Sequence, residues 1–312
     1  MNRRDQLKGY LMVGGSALMF GATGVFIRMT TMPASMLLAL RMSLAAAMVA
    51  AVFLGSKWWS EWGKPGVPRK LLALGLVDAL QLFSFILAVR YLDIALAVFL
   101  SYLSPIYIAL VAPRLLKQRT EPIVVAALVL AVAGIAVMLA PGLFDPALRV
   151  SLAGVLWGLV AGLLLAVFFL LAKTVRNDVG GSTILISNGV TTAVVMLPLG
   201  LIQWVGAGAA FTLRDLWAVL GLAVFSTALG GTIFLHGMRY IRVQHTSIVG
   251  LLEPASAPLF AFIFVGERPS VWTLAGGALI LVGAVLVVLF GASDEGMAGT
   301  PEEALGEAKA LP

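Results

Sequence analysis

Residues 240–271 read YIRVQHTSIVGLLEPASAPLFAFIFVGERPSV, and this stretch decides the fold. From about Thr246 to Val265 it is apolar and long enough to cross a bilayer. It nevertheless carries Glu253 and Pro254 near its middle. A charged side chain facing lipid at that depth costs about 2.5–3.5 kcal/mol on insertion scales, so Glu253 is expected to face protein or a wet cavity. Pro254 has no N–H and frees the carbonyl of Gly250, and Pro258 frees that of Pro254. Freed carbonyls at membrane depth persist only where protein or water satisfies them.

Working outward, the stretch has an earlier echo at residues 91–122, YLDIALAVFLSYLSPIYIALVAPRLLKQRTEP. At an offset of 149 and without a gap, Tyr91 meets Tyr240, Pro105 meets Pro254 and Arg119 meets Arg268. The register continues through Phe85 and Phe234, Arg90 and Arg239, Gly134 and Gly283. One register held by Tyr, Pro and Arg across several segments reads as an internal duplication.

The rest of the chain sets the class. Of 312 residues, 61% are hydrophobic and 12% charged, about half the charge of a soluble domain. Ten apolar runs are expected, near 10–27, 35–56, 70–89, 94–113, 122–140, 154–172, 183–204, 216–237, 246–265 and 271–290. The fold class is thus all-α integral membrane, with ten transmembrane helices. Five spans per copy is an odd number, so the copies form two inverted five-helix repeats, an architecture of transporters. The divisions are residues 1–8, a cytoplasmic N-terminus; 9–142 and 154–291, the two repeats; and 292–312, a small, acidic tail expected to be disordered. The first run is read as an uncleaved helix rather than a signal peptide.

Charge placement sets orientation. With the N-terminus inside, fifteen Lys and Arg fall on inner segments and five on outer loops (Arg28, Arg90, Arg149, Arg214, Arg268), which places both termini in the cytoplasm of a plasma (inner) membrane. All seven Trp fall at or near span ends, where an interfacial belt is expected. The basic excess therefore belongs to topology, and no nucleic-acid partner is implied. With no cysteine there are no disulfides or thiolate sites. No nucleotide, metal or other cofactor motif and no catalytic constellation appears. His236 and His245 flank one inner loop and read as interfacial polar residues, with a proton relay as the sharper alternative.

Arg41, Asp78 and Glu253 are the charges well inside spans. Mutual pairing would lower their burial cost, and the charged ends of a substrate could take the same positions. Two acids against one base leave one acid over, a candidate proton acceptor. Asp78, Gln81 and Phe85 share one helical face, which suits an amphoteric, partly apolar ligand or a polar helix contact. Tyr102 and Asn188 are further polar candidates for lining the site. Pro105 and Pro254 correspond across the duplication and are the candidate hinges of spans four and nine.

LLEPASAPLFAFIFVGERPS (251–270), GGALILVGAVLVV (276–288), the echo LSYLSPIYIAL (100–110) and Arg41 after PASMLLAL together resemble the EamA-type family of the drug/metabolite transporter superfamily. The resemblance covers residues 8–291. It departs at Gly266-Glu267-Arg268, where the first copy has Lys117-Gln118-Arg119 and lacks the acid. The resemblance implies ten helices, alternating access, a central cavity lined by both halves, no prosthetic group, and helices five and ten set away from the cavity.

The function expected is a secondary active transporter, an exporter of small amphoteric metabolites such as amino acids. Its partners would be the lipid bilayer, a small-molecule substrate and protons as a coupling ion, with a homodimer left open. The alternatives are a multidrug or other metabolite carrier of the same fold, an intramembrane enzyme, or a non-transporting membrane sensor.

Overall fold

A computed structural model gives the fold and describes residues 3–52, 58–104, 106–108, 110, 122–141, 150–176, 178–208, 210–237, 240, 249–250 and 252–290. Every regular element among them is helical. The single helix expected over residues 10–27 is two, α1 (Arg3–Gly21) and α2 (Thr23–Arg28), which meet at Ala22. Glycines flank the break and press against neighbours. A Cβ on Gly21 would stand 2.1 Å from Ser256 Oγ, and one on Gly24 would stand 2.4 Å from Ile94.

α3 (Ala34–Val52), the short α4 (Trp58–Trp62) and α5 (Val67–Tyr91) follow. α5 carries Pro68 in its first turn, where a missing N–H costs nothing. α6 (Ile94–Ser101) and α7 (Pro122–Leu139) complete the described first half. The second half opens with α8 (Leu152–Arg176) and α9 (Gly181–Ala207). Its next span is composite: α10 (Leu213–Leu220), a π-helical segment Gly221–Gly230, and α11 (Gly231–Gly237). α10 starts at a capping box in which Thr212 and Asp215 satisfy each other's backbone N–H groups. α12 (Leu252–Phe260) runs into a second π-helical segment, Ala261–Val265, and α13 (Val271–Phe290) ends the described chain.

Six helical segments are long and apolar enough to cross a membrane. Four shorter apolar helices fall in the fourth, fifth, ninth and tenth expected spans. The chain is an all-helical, multi-pass membrane protein.

The helix contacts come in exchanged pairs. α3 packs along α9, α7 along α13, and α6 meets α12, each an element against its counterpart in the other half. α5 lies on α8, as α1 lies on α11 and the π segment Gly221–Gly230. α5 also meets α9, as α3 meets that π segment, and α6 meets α8, as α1 meets α12. The exchange reaches single residues. A Cβ on Gly134 would stand 2.5 Å from the Gly276 carbonyl oxygen, and one on Gly276 would stand 2.3 Å from the Gly134 carbonyl oxygen. Moving Gly134 forward and Gly276 back by the sequence offset gives Gly283 and Ala127, and a Cβ on Gly283 would stand 3.0 Å from the Ala127 carbonyl oxygen. The same offset relates both contacts between α7 and α13.

This close approach yields a stability test. Gly134→Leu must push α13 away from α7, and overpacking of this kind costs about 1–3 kcal/mol. The thermal midpoint in detergent is expected to fall. Gly15→Leu is the control, because nothing lies within 4 Å of a Cβ there, and its midpoint should match the parent.

Candidate functional site

The three intramembrane charges lie on three separate elements, and each is held by a neutral side chain from a different further element. Arg41, on α3, is 6% exposed. Its Nε donates to Thr227 Oγ1 at 2.8 Å. Thr227 belongs to the π segment, and its own hydroxyl donates to the Leu222 carbonyl, five residues back, at 2.9 Å. The wide π turn therefore fixes Thr227 with a lone pair toward Arg41. π segments inside α-helices recur at functional sites for this reason, since they re-aim one side chain.

Asp78 sits midway along α5, and its Oδ2 accepts from Asn188 Nδ2 of α9 at 3.0 Å. The two helices can come this close because Gly75 faces Thr191: a Cβ on Gly75 would stand 2.7 Å from that of Thr191. Glu253, in the first turn of α12, accepts through Oε2 from Tyr102 Oη at 2.9 Å. The same hydroxyl lies 3.2 Å from the Gly250 carbonyl oxygen, the carbonyl that Pro254 frees. One tyrosine thus serves both polar groups that make this stretch exceptional in the sequence.

The direct ion pair considered for Arg41 does not form. Among the described residues the ion pairs are Arg28–Glu267 and Lys70–Asp178. Arg41 nevertheless lies close enough to feel the charge of both Asp78 and Glu253. The hydrogen-bond partners explain the separation: Asn188 draws Asp78 toward α9, Tyr102 draws Glu253 toward α6, and Thr227 holds the guanidinium toward the π segment. Three buried polar atoms here have no partner among the described residues: Arg41 Nη1, Asn188 Oδ1 and Thr192 Oγ1. Asn188 and Thr192 are four apart on α9, one face of one helix. Unsatisfied donors and acceptors beside separated charges make a site that a polar ligand can complete.

Of the other residues singled out by sequence, Gln81 is buried one turn from Asp78, and Phe85 joins the main apolar core. Pro254 is buried in the first turn of α12, while Pro105 lies outside the described residues. His236 is exposed with its ring 6.1 Å from that of Tyr240, and His245 lies outside the described residues. Trp157 stands edge-on to Phe83 at 6.2 Å, packing between α8 and α5. Sequence reasoning misses Thr227 and Thr192. A single threonine in an apolar span carries little signal, although the doublet Ser226-Thr227 just before Gly230-Gly231 marks an irregular stretch.

Comparison with known proteins identifies the class. The EamA-like transporter family model matches twice, over residues 7–140 and 152–289. An uncharacterized transporter of Archaeoglobus fulgidus is 32% identical over 225 residues, 72% of this chain and 77% of the relative. The threonine/homoserine exporter RhtA of Salmonella typhimurium is 27% identical over 259 residues, 82% of this chain and 80% of its own. A crystal structure 18% identical in sequence matches with a TM-score of 0.61 over 96% of this chain and all of the other, a likeness of fold alone. The chain belongs to the EamA-like transporter family of the drug/metabolite transporter superfamily.

Removing the Tyr102 hydroxyl tests the part of the site nearest the freed carbonyl. Tyr102→Phe leaves Glu253 and the Gly250 carbonyl short of a donor, a loss of about 1–3 kcal/mol for a buried group. Thermal stability in detergent should drop. An unchanged midpoint would mean that water replaces the hydroxyl.

Proposed function

We propose that this transporter is a secondary active exporter of small amphoteric metabolites, such as amino acids, working by alternating access between two inverted five-helix repeats. The observation that carries the reading is the central arrangement of one cation and two carboxylates, Arg41, Asp78 and Glu253, held apart by neutral partners with Arg41 Nη1 unengaged among the described residues. A zwitterion can place its carboxylate on Arg41 and its ammonium on an acid, so that no charge is left bare at membrane depth. Gln81, Asn188, Tyr102 and Phe85 supply the neutral and apolar surroundings. The exporter named among the relatives moves threonine and homoserine, which have this charge pattern. The exchanged packing of the two halves supports the repeat reading.

Orientation follows the Lys and Arg bias, with both termini in the cytoplasm of the plasma membrane. The surplus acid is the proton acceptor in this reading, and Pro105 and Pro254 are the bends that let spans four and nine move. Pro254 leaves the Gly250 carbonyl to a side-chain hydroxyl, a bond that can be exchanged without breaking a helix.

The test is counterflow of radiolabelled amino acids and other metabolites in proteoliposomes. Asp78→Asn and Glu253→Gln keep shape and remove charge. One of them is expected to abolish proton-dependent flux by tenfold or more, that is by about 1.4 kcal/mol or more, while exchange of bound substrate continues. Parental flux in both variants at every pH tested would make the acids structural. Orientation is checked with single cysteines at Lys64 and Arg214, both exposed. Impermeant reagent outside intact cells should label position 214 and spare position 64.

A further inference from the structure

We propose that Arg28 and Glu267 form a charge lock that shuts one end of the transport path, and that only one of the two repeats possesses it. The proposal rests on the alternating-access reading above. Arg28 ends α2, and its Nε lies 2.7 Å from Glu267 Oε1. Arg28 Nη2 also donates to the Leu92 carbonyl at 2.6 Å, and Glu267 Oε2 accepts from the Ile94 N–H, at the start of α6, at 2.9 Å. Two side chains therefore tie together the ends of spans one, four and nine. Spans four and nine carry Tyr102 and Glu253, so the lock joins the elements that hold one side of the central site.

Two further contacts tie the loops at the same end. Arg90 donates to the Met32 carbonyl, and Thr30 donates to Asp215 at the start of α10. Beneath these contacts, Thr23 donates to Ser226 at 3.2 Å, and both are buried. Glu267 is aimed by its own turn. Gly266 ends the second π segment at φ +75°, a backbone state that a side chain would strain.

These contacts have a partial counterpart at the opposite end. There Glu61 of α4 accepts from Thr183 and from the Gly180 N–H, tying α4 to the start of α9. The Thr30–Asp215 contact is likewise an acid–threonine tie, but its residues are not related to these by the offset of the duplication, at which Glu61 meets Ala210 and Thr183 meets Ala34. The charge lock does not repeat in the sequence: at the offset of the duplication Glu267 corresponds to Gln118, which lies outside the described residues. A glutamine keeps hydrogen-bonding capacity and cannot form an ion pair. The opposite end has an ion pair of its own, Lys70–Asp178 at 2.7 Å, but that pair is the more exposed of the two and joins the start of α5 to the turn after α8 without reaching spans four and nine. The difference biases the empty carrier toward being shut at the Arg28 end, the outer end by the charge bias. It makes opening of that end the step a bound substrate must drive.

The cysteine-free chain permits a direct test. Thr23→Cys places a buried reporter beneath the lock, read by an impermeant maleimide in right-side-out and inside-out vesicles. Glu267→Gln in that background is expected to raise labelling from the Arg28 end about fivefold, the shift expected on losing one partly exposed ion pair. Labelling from the other end should not rise. Combining Arg28→Glu with Glu267→Arg should bring the rate back toward the parent. Arg28→Gln reads the same lock from the other partner if Glu267→Gln does not fold. Equal labelling with and without the pair overturns the lock, as does a lower thermal midpoint with no change in sided labelling. Flux measured in the same vesicles separates the two claims. Flux with unchanged labelling removes the lock alone. Altered labelling with no flux in the parent supports the lock and removes the transport reading.

Discussion

A guanidinium buried at membrane depth is the constraint on which the rest of this structure depends. Arg41 is 6% exposed and carries a charge that no acidic side chain among the described residues neutralises by contact. The protein accommodates it with one oriented hydroxyl, that of Thr227, and two more distant carboxylates. That solution demands specific backbone features. A π turn presents Thr227, a glycine lets α5 and α9 approach so that Asn188 reaches Asp78, and a proline-freed carbonyl shares a tyrosine with Glu253. Each device is irregular, and each lies on an element that contacts its counterpart in the other half or the counterpart's neighbour. Where breaking a buried pair would strand a charge, holding charges apart on neutral partners leaves them able to take new ones.

Much of this is legible in the sequence for physical reasons. A carboxylate and a proline inside an apolar run have few explanations, so Glu253, Pro254 and the Gly250 carbonyl can be read together from the residues alone, and Asp78 and Arg41 by the same logic. Tyr102 and Asn188 stand out as polar residues in apolar spans, although not as the partners of those acids. Partnership depends on the meeting of segments far apart in the chain. Asp78 and Asn188 stand 110 residues apart, and Tyr102 and Glu253 stand 151 apart. Two features carry little signal, the first π segment only through the doublet Ser226-Thr227 before Gly230-Gly231. The break at Ala22 depends on pressure from Ser256 and Ile94, and the π segments depend on tertiary contacts that a hydropathy pattern does not contain. Glu267 stands out as an acid the first copy lacks, but its partner Arg28 reads as one more topological cation.

The two copies differ where function would require it. The feature related by the offset is the close-packed face of α7 and α13, where Gly134 and Gly276 match Gly283 and Ala127. The charges that face the centre are not repeated. Arg41 and Asp78 come from the first half and Glu253 from the second. In the proposed reading the repeats supply the scaffold, and the charges that do not recur at the offset supply the polarity of the site.

The central claim is that Arg41, Asp78 and Glu253 together hold an amphoteric ligand. Equilibrium binding of radiolabelled amino acids to the purified, detergent-solubilised protein tests it most directly. Arg41→Gln would be compared with the parent at matched thermal stability. The account predicts saturable binding of a zwitterion by the parent and at least about a tenfold loss in the variant, the equivalent of about 1.4 kcal/mol. Affinity in the variant equal to the parent's, for any ligand the parent binds, would contradict it.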